Sequence, residues 1–232
     1  MHRVRALASF FVLSLATSAL AAGGGGGGGM GGGGMSGGGS SPQETAMASF
    51  RKGEKHRKAG LDAIAAVQSE TAEAERTKAL DKSLSEFKRA LHDYKAATRA
   101  DRKAYYAWNG TGFCQRMLGD YEAALAAYDR ALAIEPGFPQ AVEYRGEAYL
   151  KLGRLEEAKA AYLDLFGRER PLADLLLRKM QAYVADAKKI PQTPGAQARL
   201  DEFATWVDER VELEAETASL APAATVTDFA SW

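Results

Sequence analysis

The fold of this chain is decided by the stretch Trp108–Pro136, which reads WNGTGFCQRMLGDYEAALAAYDRALAIEP. Two helical runs meet there at Gly119-Asp120. Glycine suits the left-handed position that ends a helix, and an aspartate side chain can cap the free amides of the next helix. Pro136 ends the second run because it has no amide proton and its ring clashes with the preceding turn. The stretch therefore predicts a helical hairpin, in which the small Gly112 lets the two helices approach closely.

The same pattern recurs at an interval of about 34 residues, a period typical of helix-turn-helix repeats that stack into a solenoid. The matched pairs are Gly112 and Gly146, Gly119 and Gly153, Ala124 and Ala158, Tyr128 and Tyr162, and, one unit earlier, Phe87 and Tyr121, Ala90 and Ala124, Tyr94 and Tyr128, Ala97 and Ala131. The earliest unit keeps only its second helix, because Lys78 occupies the glycine position of the first.

These residues resemble the tetratricopeptide repeat family. For that family's pattern of Trp, Leu, Gly, Tyr, Ala, Phe, Ala and Pro, this chain has Trp108, Thr111, Gly112, Gln115, Ala124, Tyr128, Ala131 and Pro136. Thr111 and Gln115 depart from the pattern, and Tyr128 substitutes for Phe. The resemblance implies an all-α fold of helix-turn-helix repeats stacked as a short α-solenoid, with units at about 71–104, 105–138 and 139–171.

Further helices are predicted to flank the repeats within one helical domain, 46–220. The first begins near Gln43–Ala48, and Gly60 marks a kink or break in it. Capping helices are expected at about 172–189 and 196–219, and the outer face of the second is strongly acidic. A terminal unit of a solenoid must present a polar face to water, which suits this last helix.

The N-terminal segment 1–22 is predicted to be a secretory signal peptide. Arg3 and Arg5 supply its positive start, an apolar run follows, and Ala19-Leu20-Ala21 forms a small-residue cleavage site. No cysteine follows that site closely enough for a lipid anchor, since Cys114 is the only cysteine. We therefore expect a periplasmic or secreted bacterial protein with no membrane span after cleavage; the alternative is an uncleaved anchor.

Segment 23–45 is rich in glycine and is predicted to be a flexible linker, because glycine loses the most backbone entropy on ordering. The C-terminal tail 221–232 carries Phe229 and Trp232, which either dock onto the domain, bind another molecule or stay disordered. The basic run around Arg51 favours a solvated helix face over an anionic-surface site.

Composition and motifs argue against several functions. The net charge is zero, which is unlike a general nucleic-acid binder. The three histidines, His2, His56 and His92, lack the spacing of a metal site, and no phosphate loop or nucleophile elbow is present. Cys114 suits a buried helix position better than a reactive thiol. We therefore predict a protein that is not an enzyme and has no cofactor and no metal.

The resemblance implies that the first helix of each unit lines a concave groove for a protein or peptide partner. The positions it assigns to that groove are Tyr106, Asn109, Phe113, Arg116, Met117, Gln140, Glu143, Glu147 and Lys151. The family's clamp for a terminal carboxylate is not matched, and Glu143 with Glu147 favours a basic or amphipathic segment. Another possibility is that helices before Thr71 or after Pro171 cover some of these positions.

The leading prediction is thus a protein-binding scaffold or adaptor of the bacterial cell envelope. Two other classes stay open. One is an accessory subunit or an enzyme with a site that no motif reveals. The other is a structural envelope protein held by its N-terminal segment.

Overall fold

The computed structural model describes residues 40–220, with side chains described as far as Glu216. Within that range every regular element is an α-helix. The predicted signal peptide, residues 23–39 of the glycine-rich linker and the tail lie outside the described residues, whereas residues 42–45 of that predicted linker form the start of an α-helix. The helices are α1 (Pro42–Ser69), α2 (Glu73–Ala100), α3 (Tyr105–Met117), α4 (Tyr121–Ile134), α5 (Pro139–Lys151), α6 (Leu155–Arg168), α7 (Arg170–Ala187) and α8 (Pro194–Leu220).

The turns inside the two central hairpins are those that the sequence predicts. Gly119 follows α3 with φ 83°, and Gly153 follows α5 with φ 68°. Both are left-handed conformations that a side chain would strain. The Asp120 side chain accepts a hydrogen bond from the Ala123 amide at 3.4 Å and so caps α4. The hairpin prediction for Trp108–Pro136 is confirmed.

The helices stack as four consecutive pairs, α1–α2, α3–α4, α5–α6 and α7–α8. The first helices of neighbouring pairs also contact one another, α1 with α3, α3 with α5 and α5 with α7. They form one continuous row, which we call the inner row. This is the stacked helical-repeat architecture that the sequence predicts.

The first pair differs from its prediction. Residues 71–104 do not form a helical hairpin: nearly all of this range is the single helix α2, and its partner is α1. Of the predicted kink or break at Gly60, the break is wrong, since α1 runs through this residue. A Cβ at Gly60 would lie 2.7 Å from the Phe87 ring, so the glycine serves close packing of α1 on α2. A capping box of Ser41 and Glu44 starts α1.

The last pair matches the predicted capping helices to within two residues. Leu176 and Met180 of α7 are fully buried, and Phe203 and Val207 of α8 join the same core cluster. The pair thus closes the C-terminal end of the described stack.

Candidate functional site

The predicted groove residues lie along the inner row. Some are buried there, and the others are exposed enough for a partner to contact them. Phe113 is 6 % exposed, Met117 5 % and Glu143 1 %. Lys151 is exposed, and the remaining positions are partly exposed: Tyr106, Asn109, Arg116, Gln140 and Glu147. For the buried three, the structure shows the covered arrangement that was the alternative in the sequence analysis.

Phe113 is buried because aromatic rings and cations enclose it. Its ring centroid lies 6.0 Å from that of Phe87 and 5.4 Å from that of Tyr144. The guanidinium of Arg57 on α1 lies 5.4 Å from the ring, and that of Arg116 lies 5.3 Å away. Such cation–π contacts strengthen when they are shielded from water. Phe113 is therefore a core residue, and the part of the row that a partner can reach is polar.

The rings of Phe113 and Tyr144 form an aromatic floor beneath Arg116. On this floor, an ion pair links α3 to α5. Arg116 Nη1 donates to Glu147 Oε2 at 2.8 Å, and the two side chains are only 10 % and 14 % exposed. The guanidinium also lies 5.2 Å from the centroid of the Tyr144 ring. Although burial alone would raise it, the charges of Arg116 and Lys179 hold the pKa of Glu147 below its usual value. Glu147 is therefore ionised.

Glu143 sits one helical turn before Glu147 and behaves in the opposite way. Burial and the neighbouring Glu147 carboxylate raise its pKa well above the usual value, against the smaller opposing effects of Arg116 and Lys179. Two adjacent buried carboxyl groups rarely ionise together, so the surroundings of Glu143 favour its protonated form. Within the described part of the chain, Glu143 Oε1, Arg116 Nε and Asn109 Oδ1 are buried without a hydrogen-bond partner.

Sequence reasoning did not assign Arg57, Tyr144 or Lys179 to this site. Arg57 was visible only as one member of a basic run. Tyr144 stands one repeat after Gly110, so a ring occupies the position where the earlier unit has a glycine. That exchange within a repeat is a signal that could have pointed to Tyr144. No comparable signal marks Lys179, which comes from a helix outside the repeat pattern.

Other residues with reactive or titratable side chains have structural roles or lie apart from the inner row. Cys114 is fully buried, and burial raises the pKa of its thiol to about 12, so the thiol stays protonated near neutral pH. His56 Nδ1 lies 2.6 Å from Glu86 Oε2 between α1 and α2. Among residues 40–220, no group of three His, Cys, Asp or Glu side chains is placed to hold a metal ion. The helices of this range also include none that is long and apolar enough to cross a membrane.

Two models of tetratricopeptide repeats match the chain, one over residues 82–139 and the other over residues 115–180. Together they run from residue 82, within α2, to residue 180, within α7. The chain is a tetratricopeptide repeat protein. No curated protein sequence matches it.

Several solved structures have a similar arrangement of helices. The first tetratricopeptide repeat domain of Spaghetti (RPAP3), bound to the HSP90 peptide SRMEEVD, has 20% sequence identity and a TM-score of 0.45, covering 60% of this chain and 94% of that one. A crystal structure of the MamA protein has 20% identity and a TM-score of 0.43, covering 78% and 97%. A second MamA structure has 18% identity and a TM-score of 0.40, covering 71% and 96%.

Proposed function

We propose that this tetratricopeptide repeat protein is a non-catalytic scaffold of the bacterial cell envelope that binds a protein segment along the inner row. The observation that carries the proposal is the polar strip on α3 and α5, where Asn109, Arg116, Glu147 and Lys151 lie partly or fully exposed above an aromatic floor. Stacked helical repeats present extended surfaces of this kind to their partners.

The charge state of the row changes the kind of partner that we propose. Glu143 and Glu147, taken from the sequence alone, favour a basic or amphipathic segment. Burial beside Glu147 raises the pKa of Glu143 and so favours its neutral form, and the charge of Glu147 is compensated by Arg116. The exposed charge of the strip is that of Lys151. We therefore propose that the row takes a polar or acidic segment, which can pair with Lys151 at the edge of the strip.

Site-specific photo-crosslinking tests the location of the site. A photoreactive residue at Gln140, on the inner row, should capture a protein from a bacterial envelope extract. The matched control is Leu163, which is 53 % exposed on α6, the second helix of its pair. We expect capture at Gln140 and not at Leu163, and weaker capture when Lys151→Glu is added. Equal capture at both positions, or none at Gln140, would contradict the proposal.

The envelope location is a separate proposal that is supported by the leader sequence. We expect the periplasmic or secreted fraction to contain a chain that begins at Ala22 or Gly23, directly after the predicted cleavage site. Mass spectrometry of the N-terminal peptide measures this directly. An intact N-terminus at Met1 in the membrane fraction would support the anchored alternative instead.

A further inference from the structure

We infer that this chain associates head to tail with copies of itself, through a positively charged face on α2 and a negatively charged face on α8. These faces lie outside the inner row. The inference therefore goes beyond the proposed function and does not rest on it.

The α2 face is the outer surface of the helix from residue 82 to residue 100. Its exposed residues there are Lys82, Ser85, Lys88, Arg89, His92, Lys95 and Arg99, with no acid among them. The acids of this segment are turned toward α1. Glu86 lies against His56, and Asp93 Oδ2 lies 3.9 Å from His56 Nε2. The helix thus presents cations to water along about 26 Å of its length.

The α8 face is the outer surface of the last helix from residue 201 to residue 212. Its exposed residues there are Asp201, Glu202, Thr205, Asp208, Glu209 and Glu212, with no cation among them. Arg210, the one cation of this segment, is partly buried and lies 5.1 Å from the centroid of the Trp206 ring. Asp201, Asp208 and Glu212 are spaced along one side of the helix, with Thr205 between the first two.

The two faces are opposite in charge sign, and each runs along one side of its helix, for about 26 Å on α2 and about 17 Å on α8. They belong to the first and last pairs of the stack, with five helices, α3 to α7, between α2 and α8 along the chain. The α8 face of a second copy is therefore the complementary surface for the α2 face. One such contact leaves an α2 face open on one copy and an α8 face open on the other, so association continues into a ring or a filament. Because the attraction is between exposed charges, salt screens it strongly.

Sedimentation analysis of the full-length chain with paired charge-reversal variants tests this inference. The first variant is Lys88→Glu with Lys95→Glu, and the second is Asp208→Lys with Glu212→Lys. The control, Arg130→Glu with Lys188→Glu, makes the same net change as the first variant outside both faces. All six residues are exposed.

We expect the wild type and the control to form species larger than a dimer at about 50 mM salt and to dissociate at about 500 mM. Each face variant alone should stay monomeric, because it keeps only one working face. An equimolar mixture of the two should assemble again, because each reversed face is opposite in charge to the face that it meets on the other variant. A wild type that stays monomeric at low salt, or face variants that assemble like the control, would overturn the inference. Binding of the monomeric wild type to anionic vesicles through Lys88 and Lys95 would assign the α2 face to lipid instead.

Discussion

The two halves of the stack achieve close packing by different means. In the first two pairs, aromatic rings lie where a glycine leaves room: a Cβ at Gly53 or Gly110 would lie within 3 Å of the Tyr94 ring, and one at Gly112 within 3 Å of the Tyr128 ring. In the last two pairs the core is mainly aliphatic, and Gly146 instead faces the end of the Leu176 side chain. A rigid, enclosed ring cannot move aside, whereas a leucine can change rotamer. The first half is therefore expected to tolerate substitution less well than the second.

The largest effect is expected at the boundary between the halves. Arg116→Met should lower the free energy of unfolding by about 3–5 kcal/mol, because Glu147 would be left charged and buried without its partner. Urea denaturation measures the loss. The double variant Arg116→Met with Glu147→Gln should recover a large part of it, since the buried charge is then removed. A single variant as stable as the wild type would show that the ion pair is not shielded from water.

Glycine substitutions test the comparison directly. Gly112→Leu should cost about 1–3 kcal/mol through overpacking against Tyr128, which is fully buried. Thermal or urea unfolding of Gly112→Ala should also show a larger loss than Gly146→Ala. Gly167→Ala is the control, since nothing lies within 4 Å of a Cβ there, and it should be neutral or slightly stabilising. Equal losses at Gly112 and Gly146 would remove the distinction between the halves.

A smaller effect, dependent on pH, is expected at Glu143. Its pKa in the folded protein lies above the usual 4.5, so the folded state keeps a proton that the unfolded chain releases. The free energy of unfolding should therefore fall as pH rises above the usual carboxyl range and through the raised pKa. Glu143→Gln imitates the protonated form and should remove this fall. Denaturation at about pH 5 and pH 8 measures it. A variant less stable than the wild type at the higher pH would show that Glu143 is ionised there.

The smallest effects are expected ahead of α1, outside both halves. Deleting residues 23–39 should leave the melting temperature unchanged, because that glycine-rich segment has almost no side chains to bury. The deletion has to stop there, since the Ser41 side chain accepts from the Glu44 amide at 3.2 Å. Ser41→Ala should cost about 1 kcal/mol through the lost cap. A marked drop in melting temperature after the deletion would show that the linker packs on the domain.

Sequence reasoning predicts the hairpins well and the first pair less well, for a physical reason. Gly119 and Gly153 act locally, through the conformation of their own backbone, and can be recognised without knowing their surroundings. Gly60 is needed because the Phe87 ring of another helix packs against it. The residues next to Gly60 in the sequence do not show whether the glycine serves such packing or marks a kink. With Lys78 at the repeat's glycine position, α1 could not be identified as the partner of α2.

The binding row shows the same limit. The repeat register identifies which positions lie on the first helices, and Arg116, Glu147 and Lys151 are partly or fully exposed there as expected. Which of the others are covered depends on flanking helices. Arg57 comes from α1 and Lys179 from α7, and both lie outside the strong repeat pattern. Because the proton on Glu143 depends on these neighbours, the preference for a basic partner could not be judged from Glu143 and Glu147 alone.

The Tyr94 ring also has a consequence for how the protein unfolds. One side chain fills the space left by Gly53 of α1 and Gly110 of α3, and its hydroxyl donates to Glu54 of α1. In stacked repeats, cooperativity depends on how much stability resides in the interfaces between neighbours rather than within each unit. Because the Tyr94 ring packs against helices of both pairs, part of its stabilising contribution belongs to the interface between the first two pairs. The first two pairs should therefore unfold as one cooperative unit. When the N-terminal end of the stack opens, the part of the inner row on α1 and α3 would be lost together with it.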